Sequence, residues 1–256
     1  MISSAFWRDR PVFIAGHTGF RGAWLSIALE RLAARATGYG LNPEAGSVYD
    51  LADAGAGLCD VRGDVNDSAL LDGALRAADP EIAFHFTPVA LRRALAEAAA
   101  GAPALQASIV AAPDRRRRAR REARQPRTQG RTYWVYCAAT TCAAATSAPE
   151  TTQGSMHVLD EIYAFLLLAE IACEGADSIA RDWAFAEPAD AAAIGWSPLL
   201  DAAEAARWSA EWNAAVARGA DMAAFTRAQV DAYLGQRVRF VSPFTRAAAA
   251  LDRSAA

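Results

Sequence analysis

Lysine is missing from the chain: all 26 basic residues are arginine. Biased codons in GC-rich DNA produce such a composition without selection, but the chemical consequence holds whatever its origin. No site here can rest on a side-chain amine, and arginine is a poor replacement because its geometry and hydration differ. Cysteine is nearly as scarce. Cys59, Cys137, Cys142 and Cys173 form neither a Cys-x-x-Cys pair nor a Cys/His set at zinc-ligand spacing. No metal centre is expected, and four reduced thiols fit a cytoplasmic protein. Long apolar runs are also lacking. The longest, residues 162–169, is far too short to span a bilayer and is followed at once by Glu170. The N-terminus carries Asp9 and no continuous apolar core, so neither a leader nor a membrane contact is expected. A formal net charge of −3 provides no global field for nucleic acid or lipid.

What is present is a soluble, globular composition, with 53% hydrophobic and 21% charged residues among 256. Residues 11–15 (Pro-Val-Phe-Ile-Ala) are a short run of β-formers stopped by glycine, the mark of a buried parallel strand. Residues 16–22 read as a turn and 23–36 as a helix with Trp24, Ile27, Ala28 and Leu32 on one face. A weak strand over 36–41 and a third short strand before Gly63 follow. Next come a helix over 67–78, capped by Asp67 or Ser68, and a strand over 81–86. This alternation predicts a Rossmann-like α/β fold with a doubly wound parallel sheet, incomplete, and a mostly helical C-terminal part. Composition divides the chain at 1–112, 113–155 and 156–256. The middle segment opens with nine arginines against one glutamate over 115–131 and continues into an Ala/Thr tract, which reads as an irregular junction. Beyond it, helices are expected over 157–173, 199–216 and 222–234 and a strand over 183–186. Trp208 and Trp212, four apart, are expected in the core.

The chemistry-bearing signal is Gly16-His17-Thr18-Gly19-Phe20-Arg21-Gly22, a G-x-x-G-x-x-G spacing placed directly between strand and helix. Gly16 permits the tight turn, Gly19 lets backbone approach a pyrophosphate, Gly22 lets helix pack on strand, and the helix N-terminus attracts the anion. Gly16, Thr18, Gly19, Phe20, Arg21 and Gly22 are therefore the candidate cofactor residues. Asp64 and Val65, after the third strand, join them; Asp64 could reach an adenine edge. No acidic residue follows Tyr39-Gly40-Leu41 to hold a ribose hydroxyl, so the choice between NAD and NADP stays open. His17 is expected to shape the loop, whereas His85 reads equally as a cofactor neighbour or a hydrogen-bonded core histidine.

These residues resemble CDP-glucose 4,6-dehydratase, an extended short-chain dehydrogenase/reductase of the NAD-dependent epimerase/dehydratase family. The resemblance rests on Phe6-Trp7, residues 12–25, Gly38-Tyr39, residues 63–67 and residues 80–85 in one arm. In the other it rests on residues 157–160, Tyr163, 166–170, 183–185, 194–198, Trp208, Trp212, 219–226 and Tyr233. The two arms cover roughly residues 4–95 and 156–235. The resemblance implies bound NAD, oxidation of a nucleotide sugar at C4, loss of water across C5–C6 and hydride return to C6. It places Arg93 and His157 at the substrate. It also implies a catalytic tyrosine four residues before a lysine, with a Ser/Thr and acidic residues at the end of a central strand.

There the chain departs from the pattern. Without lysine no Tyr-x-x-x-Lys exists, and the one Tyr-x-x-x-Arg, Tyr233 to Arg237, lies in the C-terminal tail. Residues 135–141 are a candidate remnant of the catalytic strand, with Thr140 or Thr141 as the hydroxyl and no acid after it. Asp160 and Glu161 show no evident partner in sequence. Two faithful arms around an insert of unrelated composition resemble a family member internally truncated or degenerate, and frameshift, deletion and real divergence all stay open as its origin. The arginine run would attract phosphate, but no aromatics interleave it, which argues against nucleic-acid recognition.

Overall fold

The computed structural model describes residues 1–86, 102–113, 132–137, 156–175, 182–184 and 188–239. Arg93, Thr140, Thr141 and the arginine run lie outside the described residues. Strands β2 (Pro11–Ala15), β3 (Arg35–Gly40), β4 (Leu58–Arg62), β5 (Ile82–His85), β6 (Ala107–Pro113), β7 (Thr132–Cys137) and β8 (Asp182–Ala184) form one seven-stranded sheet. Its order is β4-β3-β2-β5-β6-β7-β8, and every pairing is parallel. The chain runs outward from β2 to β4 and then returns to the other side of β2 at β5. That reversal opens a crevice at the carboxyl ends of β2 and β5, the place where such sheets hold ligands.

Side chains alternate across β2, so its two faces feed two cores. Val12 and Ile14 join the larger one, with α2 (Phe20–Arg31), α5 (Val158–Gly175), α7 (Ala202–Ala217) and α8 (Met222–Arg237). Phe13 and Ala15 join the smaller, with Leu71, Ala74 and Leu75 of α4 (Ser68–Ala78). Residues 22–29 of α2 are all buried, because sheet and C-terminal helices enclose it. Arg227 of α8 fastens this arrangement. Its guanidinium grips the Glu30 carboxylate and donates to the carbonyls of Ala52 and Asp53 beyond α3 (Val48–Leu51).

Several expectations need adjusting. Helix α2 begins at Phe20, inside the expected turn, with Gly19 as its N-cap. Asp67 rather than Ser68 caps α4, accepting from Leu70 N–H at 3.0 Å. Residues 132–137, assigned above to an irregular junction, form a strand; Thr-Tyr-Trp-Val-Tyr is rich in β-branched and aromatic residues suited to a pleated surface. The neighbour of β5 is β6, which the sequence did not announce, and it ends in Ala-Ala-Pro. Residues 135–137 therefore stand one strand further from β5 than the central catalytic strand envisaged for them. Short helices α1 (Ser4–Trp7) and α6 (Pro188–Ala193) and a parallel pair, β1 (Ile2–Ser3) with β9 (Val238–Arg239), were not foreseen either. Trp212 is buried and hydrogen-bonds Thr226, whereas Trp208 is half-buried.

Candidate functional site

Gly16 leaves β2 with φ +85°, a conformation only glycine adopts without strain. Its N–H donates to the Tyr39 carbonyl at 2.8 Å and its own carbonyl accepts from Gly19 N–H at 3.1 Å. At Gly22 a Cβ would lie 2.2 Å from the Gly16 oxygen and 2.6 Å from His17 Cα, so the helix can approach the loop this closely only as glycine. Gly19 differs. A Cβ there would meet the Gly16 oxygen at an ordinary 3.4 Å, and the residue is exposed. Packing does not demand glycine at 19; a ligand backed against the loop would. No side chain caps α2, so nothing in the cap competes for its first-turn N–H groups.

Beneath the loop lies His17, with no solvent exposure. Its ring covers Gly38, where a Cβ would come within 2.4 Å of Cγ and Cδ2. Nε2 meets Asp60 Oδ1 at 2.9 Å, and the Tyr49 ring stands edge-on at 5.3 Å. Burial lowers the His17 pKa against the opposing pull of Asp60, so the imidazole is neutral near pH 7. The Asp60 Oδ2 accepts from the Tyr49 hydroxyl at 2.8 Å and from Arg62 Nη2. Burial raises the Asp60 carboxyl, but hydrogen bonds from Tyr49, His17 and Arg62 outweigh it and hold the group below its ordinary range. His17 thus shapes the loop as expected. Asp60, Tyr49 and Arg62 were not foreseen; the polar–apolar–polar alternation Asp60-Val61-Arg62 was the available signal.

Thr18 is half-buried beside Gly40, and Phe20 packs on the larger core. Arg21 turns toward α5, its Nε donating to Glu161 Oε2 at 2.9 Å. Glu161 is 1% exposed, so this pair ties the loop helix to α5. At the outer rim, exposed Asp64 accepts from Asn66 N–H and Nδ2, its carbonyl accepts from the Tyr39 hydroxyl, and Val65 is buried in the smaller core. Gly16, Thr18 and Gly19 therefore follow the carboxyl end of β2, and Asp64 and Val65 that of β4.

The remaining candidates stand in packed surroundings. His85 is buried at the end of β5 with Nε2 2.8 Å from Ser108 Oγ, the core-histidine alternative. His157 is 4% exposed between Trp24 and Trp208, its Nδ1 accepting from Leu159 N–H, and burial lowers its pKa to about 4. Asp160, apparently unpartnered in sequence, accepts from the Tyr233 hydroxyl at 2.6 Å and from Leu199 N–H at 2.6 Å. Tyr233 is pushed far up by burial and by Asp160, and burial raises Tyr163 despite Arg237 over its ring. Tyr49, too, is raised by burial and Asp60. None of these phenols is tuned toward proton abstraction. Among the described residues no His/Cys/Asp/Glu group is arranged to hold a metal, and no helix is long and apolar enough to cross a membrane.

Sheet order and helix packing together define a Rossmann-like α/β fold, shared with solved nucleotide-sugar epimerases. The UDP-glucose 4-epimerase of Stenotrophomonas maltophila, solved with NAD and formylated UDP-arabinopyranose, superposes with TM-score 0.57 over 82% of this chain and 100% of that one, at 12% identity. The Brucella ovis UDP-glucose 4-epimerase with NAD gives 0.55 over 77% and 95%, at 13% identity. In sequence, the chain is 35% identical over 94 residues to the CDP-glucose 4,6-dehydratase of Salmonella typhimurium. That match covers 36% of this chain and 26% of the relative, so the chain spans about a quarter of its length. No family model matches.

Proposed function

We propose that the chain binds NAD through residues 16–22 and the rim at Asp64-Val65, and that it does not carry out sugar dehydration. The observation that carries the first half is the contrast between Gly22, whose Cβ would collide at 2.2 Å, and Gly19, open and exposed. The loop has the close packing that a pyrophosphate cradle needs and keeps room where the diphosphate would sit. When bound, the nicotinamide supplies reversible oxidation of a sugar carbinol. This chain's residues supply the N–H groups, the helix N-terminus and the His17–Asp60 brace that fixes the turn.

The second half rests on residue content. No lysine exists to hold the ribose and lower a phenol, and Tyr49, Tyr163 and Tyr233 are raised instead. His157 is enclosed by tryptophans, where it serves the packing of α2, α5 and α7 rather than a sugar. The 94-residue match to a CDP-glucose 4,6-dehydratase supports descent from such enzymes, with a nucleotide sugar as the ligand class if a substrate pocket persists. The free, exposed thiol of Cys59 fits a cytoplasmic setting.

Calorimetric titration with NAD tests the cradle, and incubation with CDP-glucose and NAD tests the chemistry through the absorbance of the 4-keto product. Saturable NAD binding without product is the expected pair of results. Robust turnover would overturn the inactive reading; no heat at millimolar NAD would overturn the cradle.

A further inference from the structure

In a doubly wound sheet with the diphosphate on the helix after the first strand, the adenosine ribose lies at the carboxyl end of the second strand. An acid there holds the 2′-hydroxyl, or an arginine accommodates a 2′-phosphate. Here the second strand is β3, and it runs out at Gly40 into Leu41, with no carboxylate at either position. A cation stands at that spot instead. Arg62 pairs in register with Gly40 from the adjacent strand, and its Nη1 donates to the Leu41 carbonyl at 3.1 Å. The guanidinium also lies over the Tyr49 ring at 5.1 Å and donates from Nη2 to Tyr49 and Asp60.

The nearby carboxylate already serves three donors. Asp60 has Oδ1 on His17 and Oδ2 on Tyr49 and Arg62, so both oxygens already accept hydrogen bonds. The Arg62 and Asp60 side chains are both part-exposed, at 32% and 29%, and Arg62 keeps N–H groups free of these partners on Nη1 and Nε. Its fork is fixed by three partners, which suits a planar group for phosphate recognition at little further loss of freedom.

On these grounds, and resting on the cradle reading above, we infer that Arg62 is a specificity-determining residue that equips the adenosine end for a 2′-phosphate, so that NADP binds at least as well as NAD. The probes are NAD and NADP titrated into the purified full chain, with 2′,5′-ADP against 5′-AMP as the minimal pair. NADP should bind as tightly as NAD or more so at low salt. Raising NaCl to about 0.5 M should erode NADP affinity several-fold more than NAD affinity, because the extra contact is a screened charge pair. Arg62→Leu should weaken NADP about tenfold more than NAD, as the loss of a charge-assisted contact would. NAD binding with NADP tenfold weaker overturns the inference alone, as does an Arg62→Leu variant that weakens both alike. Binding of neither removes the cradle as well. Should Arg62→Leu fail to fold, the salt series on the unaltered chain decides the matter.

Discussion

At the scale of single residues the glycine loop makes two opposite predictions. Gly22→Ala forces a Cβ into backbone that cannot retreat, so stability should fall by roughly 2–3 kcal/mol, as for other overpacked sites, read as a lower melting temperature. Gly19→Ala has ordinary room and a φ of −76°, so melting should barely change while NAD affinity drops at least tenfold by titration. Equal melting losses in both variants would contradict the assignment of a packing role to one and a ligand role to the other. The loop was legible in sequence because strand, glycines and helix are contiguous. The brace under it was not: His17 and Asp60 are 43 positions apart, and the β2–β3 and β3–β4 pairings bring them together. Asp160 teaches the same lesson, since its partner Tyr233 lies 73 positions away.

At the scale of elements, Asp160 joins α5 to α8 and to the backbone at Leu199 and Leu200 that leads into α7. Asp160→Ala leaves a buried hydroxyl and a backbone N–H without their acceptor, so unfolding free energy should fall by about 3 kcal/mol. Asp160→Asn keeps one acceptor oxygen and should lose roughly half as much. Urea midpoints compare the two directly, and equal losses would show that charge rather than acceptor geometry matters at this joint. Element types were readable where periodicity and caps agreed, as in α4 and α7, the latter closed by a capping box from Asp201 and Glu204. Strand β6 escaped notice because Ala-Ser-Ile-Val-Ala-Ala-Pro combines alanine with a terminal proline, a composition that favours no strand on its own. Strand β7 was obscured by the arginines before it and the Ala/Thr tract after it.

For the molecule as a whole, two buried groups pull its stability in opposite directions as pH changes. Burial lowers His157 from 6.5 to about 4, so its neutral form is the native one. Its contribution is complete above pH 6.5 and is lost as pH falls toward about 4. Burial raises Glu170 from 4.5 to about 7, although Ser3 N–H donates to its Oε1 at 2.7 Å. Its contribution is complete below pH 4.5 and is lost as pH rises through about 7. Glu170→Gln keeps an acceptor for Ser3 without a charge, and should raise stability at pH 8 by on the order of 2 kcal/mol while changing little at pH 4. Chemical unfolding at both pH values checks this; a gain at acid pH only would reverse the assignment.

Glu170 also sits where Ile2–Ser3 meets Val238–Arg239. This clasp unites the first and the last of the described strands in order of synthesis. Until residue 239 has been made, Ile2–Ser3 lacks the strand it pairs with, so a nascent chain stalled earlier carries an unsatisfied edge there. Amide protection at Ile2–Ser3 should therefore appear only in nascent chains long enough to present Val238–Arg239 for pairing.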